Sequence, residues 1–256
     1  MTLHSGSPLA QKSALVTGAA RRVGATIAKR LAASGYRVAC HVRRLGPEAS
    51  VFLSEIQAAE GIAELFEGDL TDATARAALM QRVEERFGAL DLLVNNAAAF
   101  KSDTFDDFSE DALDAHLAIN LKAPIDLARH FSRMASTSDP SIINVIDHRV
   151  LKLTPQHFTY TLSKAALHTA TQTMAQALAP KIRVNAIGPG PTLPNLHEGQ
   201  AGFLHEAAGV PLQHAVDAED IAQAVLYLAS ARSVTGVLLP VDAGQAIGWK
   251  TPDIVL

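Results

Sequence analysis

Leu15-Val16-Thr17-Gly18-Ala19-Ala20-Arg21-Arg22-Val23-Gly24 is the stretch that decides the fold. A short β-favouring run enters it and a helical pattern leaves it near Ala25. Gly18 permits a tight turn, and Gly24 lets the following helix pack closely on the strand. A helix that starts there points free N–H groups and a positive dipole end at the turn, a natural seat for a pyrophosphate. Two glycines alone would also suit an ordinary connection, so the rest of the chain has to carry the reading.

Outward from that turn, β-rich runs at 14–17, 37–42, 63–67, 90–95, 141–146, 183–187 and 237–241 alternate with helical patterns. The helical patterns fall at 25–34, 48–59, 73–87, 111–134, 158–179 and 219–229. Such alternation predicts an α/β chain: a doubly wound, Rossmann-type parallel sheet with helices on both faces. The central strands are nearly continuous apolar runs, as strands buried on both faces should be. We expect a flexible tail over 1–11 and a single domain of this fold over 12–256. Residues 188–217, rich in Pro, Gly and His, read as a long irregular loop, a substrate-binding lid above the strand ends.

Composition bounds the function. The 256 residues suffice for one large core, and the net charge of −4 offers no general attraction to nucleic acid or anionic membrane. The single cysteine, Cys40, precludes an internal disulfide and a thiolate cluster. Ten histidines show no ligand spacing, so no metal is expected. His197, His205 and His214 fall in the expected lid, and Asp103, Asp106 and Asp107 read as a solvated acidic loop. No leader pattern opens the chain, and no run reaches the ~18 apolar residues of a membrane span. A cytoplasmic location is the expectation.

The end of the second strand reads the cofactor. An acidic residue there would grip the ribose hydroxyls of NAD; this chain has His41-Val42-Arg43-Arg44, with Arg21 and Arg22 in the first turn. Guanidinium groups match a 2′-phosphate, so NADP(H) is the expected cofactor.

Tyr160 and Lys164 stand one helical turn apart, on one face of the 158–179 helix. A nearby ammonium would lower the tyrosine pKa toward the working range and make Tyr160 a general acid. Thirteen residues earlier, Ile142-Ile143-Asn144-Val145-Ile146 ends in Asp147. An ionised carboxylate opposes the negative charge that grows on a reduced carbonyl oxygen, yet suits a ring nitrogen gaining a proton. If Asp147 stayed protonated in a buried site, it could instead donate to a carbonyl.

Thr17-Gly18-x-x-x-Arg22-x-Gly24, Asp69-Leu70, Asn95-Asn96-Ala97, Asn120, Asp147, Tyr160-x-x-x-Lys164 and Gly188-Pro189-Gly190 together resemble the short-chain dehydrogenase/reductases over nearly the whole chain. Within that family the chain is most similar to the pteridine reductases. The resemblance implies that Asp69 and Leu70 sit by the adenine and that Asn96, Ala97 and Ala98 line the cofactor. It gives Val23, Pro189 and Gly190 cofactor contacts, Lys164 the nicotinamide ribose, and Asn120 a water leading from Lys164 to solvent. Arg22, Ala98 and Asp147 depart from the general family pattern; the arginine and aspartate are the residues expected in pteridine reductases. Phe100 would then stack on a flat ring, and Arg22 would reach both pyrophosphate and substrate. Ser163 would help line the cofactor site. A homotetramer, or a dimer, is implied, with the 111–134 and 158–179 helices at its interfaces; Trp249 would reach a neighbouring site or merely pack.

The expected activity is NADPH-dependent hydride transfer to a pterin-like or related N-heterocycle, with Asp147, Tyr160, Lys164 and Asn120 handling the proton. The alternatives are a carbonyl reductase or alcohol dehydrogenase of the same family, and a cofactor-binding regulator without turnover.

Overall fold

The computed structural model describes residues 11–194 and 199–249. Its strands are β1 (Ser13–Thr17), β2 (Arg37–Val42), β3 (Ile62–Glu67), β4 (Leu92–Asn95), β5 (Ser141–Val145), β6 (Arg183–Pro189) and β7 (Leu238–Val241). The helices are α1 (Arg22–Ala33), α2 (Pro47–Ala58), α3 (Ala73–Phe87), α4 (Glu110–Leu117), α5 (Ala123–Met134), α6 (Phe158–Leu178), α7 (Gly199–Gly209) and α8 (Ala218–Ser230). The strands form one parallel sheet in the order β3-β2-β1-β4-β5-β6-β7. The order reverses between β1 and β4, which opens a crevice beyond their carboxyl ends.

Strand alternation divides the core into two layers. Ala14 and Val16 of β1 pack with Ile27 and Leu31 of α1 and Val225 and Leu228 of α8. Leu15, between them, faces the other way, onto Leu79 and Val83 of α3 and Leu127 and Phe131 of α5. Side-chain caps fix several helix starts: Asp72 accepts from Thr74 N–H, Ser109 from Ala112 N–H and Asp217 from Glu219 N–H.

Two expectations need correction. The single helix expected over 111–134 is broken into α4, a π-helical turn at Ala118–Lys122, and α5. Pro124 has no N–H for the carbonyl of Asn120, four residues back, so an α ladder cannot run through this point. The Ala123 N–H reaches instead to the Ala118 carbonyl, five residues back. The stretch 188–217 is not irregular throughout: β6 continues to Pro189, and α7 forms an eleven-residue helix within it. Glycines at 199, 202 and 209 in that helix hid it from a propensity reading. The tail expected over 1–11 lies, apart from Gln11, outside the described residues, as does His197.

Candidate active site

The first turn is built tightly. Gly18 has φ of +64°, and a Cβ on Gly24 would stand 2.2 Å from the Gly18 carbonyl oxygen and 2.4 Å from Asn96 Nδ2. Thr17 Oγ1 accepts the N–H groups of Asn96 (2.9 Å) and Ala97 (3.0 Å) and donates to the Val94 carbonyl (3.3 Å). Asn96 Nδ2 donates in turn to the carbonyls of Thr17 (2.8 Å) and Gly18 (3.2 Å), locking the end of β4 to the turn. Asn95 faces inward, donating to Asn144 Oδ1 at 2.8 Å.

His41 is placed differently from expectation. Its buried ring accepts the Gly18 N–H at Nδ1 (3.2 Å), so Nε2 carries the hydrogen toward the Gly68 carbonyl (3.0 Å). Both nitrogens are occupied by backbone, and the ring props the turn rather than facing a ligand. Burial, the largest influence, keeps it neutral by lowering its pKa.

Beside the turn lies a cleft of about 760 Å³ lined by Gly18, Arg21, Val42, Arg43 and Arg44, among others. Arg21 pairs with Glu48 at 2.5 Å and Arg43 with Asp69 at 3.5 Å, both on exposed side chains, while Arg44 has no ionic partner among the described residues. Asp69 is itself held by Thr71, whose N–H and hydroxyl it accepts at 2.9 and 2.7 Å. Leu70 is buried in the core, where its carbonyl accepts from Arg76. A turn with no room for a Cβ, under three arginines, fits a phosphate-bearing dinucleotide.

Arg22 has φ of +51°, the left-handed conformation that explains why a glycine would be easier here. Its guanidinium donates to the carbonyls of Pro194 (3.0 Å) and Leu193 (3.2 Å), bridging the turn to the segment after β6. Val23 packs on the core behind the turn, and Ala98 is exposed at the crevice. Pro189 ends β6 and Gly190 follows it; a Cβ on Gly190 would meet the Asp242 backbone at 2.6 Å.

Tyr160, Lys164 and Asp147 come together across β5 and α6. The Tyr160 hydroxyl donates to Asp147 Oδ2 at 3.0 Å, and Lys164 Nζ donates to the Val145 carbonyl at 2.8 Å. Asp147 Oδ1 accepts from the Arg149 N–H at 2.8 Å and lies 3.1 Å from His148 Nδ1 and 3.3 Å from the Arg149 guanidinium. Burial pushes the Asp147 carboxyl up, but the His148 hydrogen bond and the Arg149 charge outweigh it and bring the pKa down to about 2. These partners favour the ionised carboxylate over a neutral donor.

The tyrosine expectation is also corrected. Burial, then the adjacent Asp147 charge and hydrogen bond, raise the Tyr160 phenol well above its ordinary pKa of 10.0. The ammonium of Lys164 does not reverse this, because it lies on the strand carbonyl, 5.8 Å from the Tyr160 ring centroid. Burial lowers Lys164 itself to about 8, with Asp147 opposing. The site thus stores its proton on a phenol beside a carboxylate.

Asn120 sits buried in the π turn. Its amide donates to the Ala99 carbonyl and to Ser163 Oγ, both at 3.0 Å, and its oxygen accepts the Ala99 N–H at 2.9 Å. Ser163 donates to the Tyr160 carbonyl at 2.6 Å and is fully buried, so it braces α6 rather than lining the crevice. The Phe100 ring is 37% exposed and stands edge-on to Tyr160, with centroids 4.8 Å apart and planes at 81°. The ring also lies against His157, with centroids 4.9 Å apart and planes at 42°.

Two residues escaped the sequence reading. Asp103, expected in a solvated loop with Asp106 and Asp107, is buried and accepts the Thr159 N–H at 3.1 Å, capping α6. His116 of α4 is buried against Thr159 and Tyr160. An acidic residue two positions before Phe105, in a polar run, carries no signal of burial; only the fold brings α6 to it. Asp106 and Asp107 are exposed, as expected. His205 and His214 are exposed, and Trp249 is half exposed. Among the described residues no cluster suits a metal, and no helix is long and apolar enough to cross a membrane.

A nucleotide-cradling turn and a Tyr-Lys pair on one parallel sheet define an oxidoreductase class, and the family comparison agrees. A family model described as enoyl-(acyl carrier protein) reductase matches residues 18–246, and the chain belongs to this short-chain dehydrogenase/reductase family. It is 33% identical over 247 residues to L-xylulose reductase of Bos taurus, covering 92% of this chain and 97% of that one. It is 31% identical over 240 residues to 3-oxoacyl-[acyl-carrier-protein] reductase of Staphylococcus aureus, covering 91% and 98%. Among solved structures, FolM alternative dihydrofolate reductase 1 from Brucella suis, in complex with NADP, is 41% identical, with a TM-score of 0.90 and coverage of 95% and 98%.

Proposed function

We propose that this chain is an NADPH-dependent reductase that adds hydride to a ring carbon of a pterin-like N-heterocycle and a proton to the adjacent ring nitrogen. The observation that carries this reading is the ionised Asp147 hydrogen-bonded to Tyr160 beside the partly exposed ring of Phe100. An amine-rich flat ring offers N–H donors to that carboxylate and a π face to that phenyl. A carbonyl oxygen gaining charge would be repelled by Asp147. The likeness to the Brucella enzyme supports the same reading.

Gly18, Arg21, Arg22, Val23 and Gly24 would hold the NADPH pyrophosphate, and Arg43 and Arg44 its 2′-phosphate. Asp69 and Leu70 would flank the adenine, with Asn96, Ala97, Ala98, Pro189 and Gly190 toward the nicotinamide. When bound, the cofactor supplies the hydride. Tyr160 gives its hydroxyl proton to the ring nitrogen, which becomes more basic as its C=N bond is reduced. Asp147 orients the hydroxyl and the substrate N–H groups. Lys164, with a pKa near 8, returns a proton to the phenolate, and Asn120 holds the Ala99 segment against α6. A second reading, carbonyl reduction, is favoured by the two sequence relatives, whose names specify keto substrates.

NADPH consumption with a dihydropterin, against a panel of simple ketones and against NADH, separates the two. Pterin turnover that collapses in Asp147→Ser and Tyr160→Phe is expected. Turnover confined to ketones would overturn the proposal.

A further inference from the structure

The wall behind Tyr160 is a directed chain of buried hydrogen bonds. The Lys101 N–H donates to His116 Nε2 at 3.1 Å, so that nitrogen carries no hydrogen. The hydrogen therefore resides on Nδ1, which donates to Thr159 Oγ1 at 2.8 Å. Thr159 passes its own hydroxyl hydrogen to Asp103 Oδ2 and its N–H to Asp103 Oδ1. One ring thus clamps two segments: the backbone beside Phe100 and the residue before Tyr160. Its face meets the Tyr160 ring as well, with centroids 5.8 Å apart.

We propose that His116 is a positioning residue that, as the neutral Nδ1–H tautomer, holds Phe100 in its edge-on contact with Tyr160 and so governs how tightly a flat substrate is seated beside the pair. The proposal rests on the preceding reading only in that a reducible substrate lies against those two residues. Protonating His116 would place a hydrogen on Nε2 against the Lys101 N–H, donor facing donor, and free the Phe100 segment. The charged and titratable groups facing the ring are Lys101 and Asp103 from the loop and Tyr160 and Lys164 from α6. On α4 itself, Glu110, Asp111 and Asp114 are the acidic residues. Burial, the largest influence, pulls the His116 pKa below 6.5; Asp103 opposes, and Lys101 and Lys164 assist. The clamp is therefore closed at neutral pH and opens only on acidification.

The test follows kcat and KM against pH for the wild type, His116→Gln and His116→Phe, using whichever substrate the wild type reduces. Phe keeps the ring and loses both hydrogen bonds; KM should rise about 10-fold at every pH, with kcat far less affected. Gln retains an acceptor for Lys101 and cannot ionise, so KM should stay near the wild-type value at neutral pH. In the wild type KM should climb as pH falls below 6.5, and in His116→Gln that climb should be absent. A fall in kcat at constant KM in His116→Phe, or an acid rise unchanged in His116→Gln, overturns the proposal. Nitrogen-15 NMR of the imidazole in the wild type decides the tautomer without any substrate, and a protonated Nε2 at neutral pH would also overturn it. If only ketones are reduced, the pterin reading fails while this test runs unchanged.

Discussion

Tyr160 and Asp147 share one hydrogen bond of 3.0 Å in which the phenol is the donor and the carboxylate the acceptor. The carboxylate raises the pKa of the phenol, and the phenol satisfies one oxygen of an anion whose charge His148 and Arg149 hold. Removing Asp147 therefore changes the titration of Tyr160, whereas removing Tyr160 takes a donor from a buried carboxylate oxygen.

Asp147→Asn should reduce kcat/KM for a ring-nitrogen substrate about 100-fold, since the proton-handling group is lost. A pH signature accompanies it. The folded carboxyl titrates at about 2 against an ordinary 3.8, so its stabilisation is complete above 3.8 and is lost as pH falls through 2. The difference amounts to about 2 kcal/mol at ~1.36 kcal/mol per pH unit. Urea unfolding of wild type and variant between pH 5 and pH 2 should show the wild type losing that increment and the variant not.

Tyr160→Phe should lower kcat by a factor of about 10² to 10⁴ while leaving KM and the packing on Phe100 nearly unchanged. Steady-state kinetics at neutral pH checks this. A variant that retains most of its kcat would show that the phenol is not the proton source.

Arg43→Ala combined with Arg44→Ala should weaken NADPH far more than NADH. Losing charge-assisted contacts to a phosphate costs about 1.5–3 kcal/mol each, so the KM for NADPH should rise 10-fold or more. Equal losses for both cofactors would mean that the 2′-phosphate lies elsewhere.

Gly24→Ala tests the turn. The added Cβ would press on the Gly18 carbonyl and on Asn96 Nδ2, at 2.2 and 2.4 Å, and one of those contacts must give. Overpacking of this kind costs about 1–3 kcal/mol. Thermal unfolding should register the loss, and the stabilisation that NADPH confers on the wild type should largely vanish.

The fold was legible where local pattern and tertiary packing agree. The ends of β2 and α3 read from sequence coincide with those observed at Arg37–Val42 and Ala73–Phe87, because Gly35 and the Asp72 cap punctuate them. Tyr160 and Lys164 were also legible, since helical periodicity puts them on one face, and the place of Asp147 beside them followed from the family resemblance. Protonation states were not legible. Asp147 is ionised because His148 and Arg149 fold back on it, and Tyr160 is raised because it is buried against Asp147; neither fact follows from spacing. Asp103 and His116 were missed, and His41 was given a cofactor contact instead of its backbone role, for the same reason, as each acts through backbone groups 15 to 56 positions away.

The π turn at Ala118–Lys122 is equivalent to a single extra residue threaded into an otherwise regular helical path. Excising one residue there would rotate everything on one side by about 100° relative to the other, with Pro124 still interrupting the ladder. Asn120 would then swing away from Ala99 and Ser163, although every side chain named in the site would still be present. Chain length at this point, rather than residue identity, decides whether the helix serves the crevice.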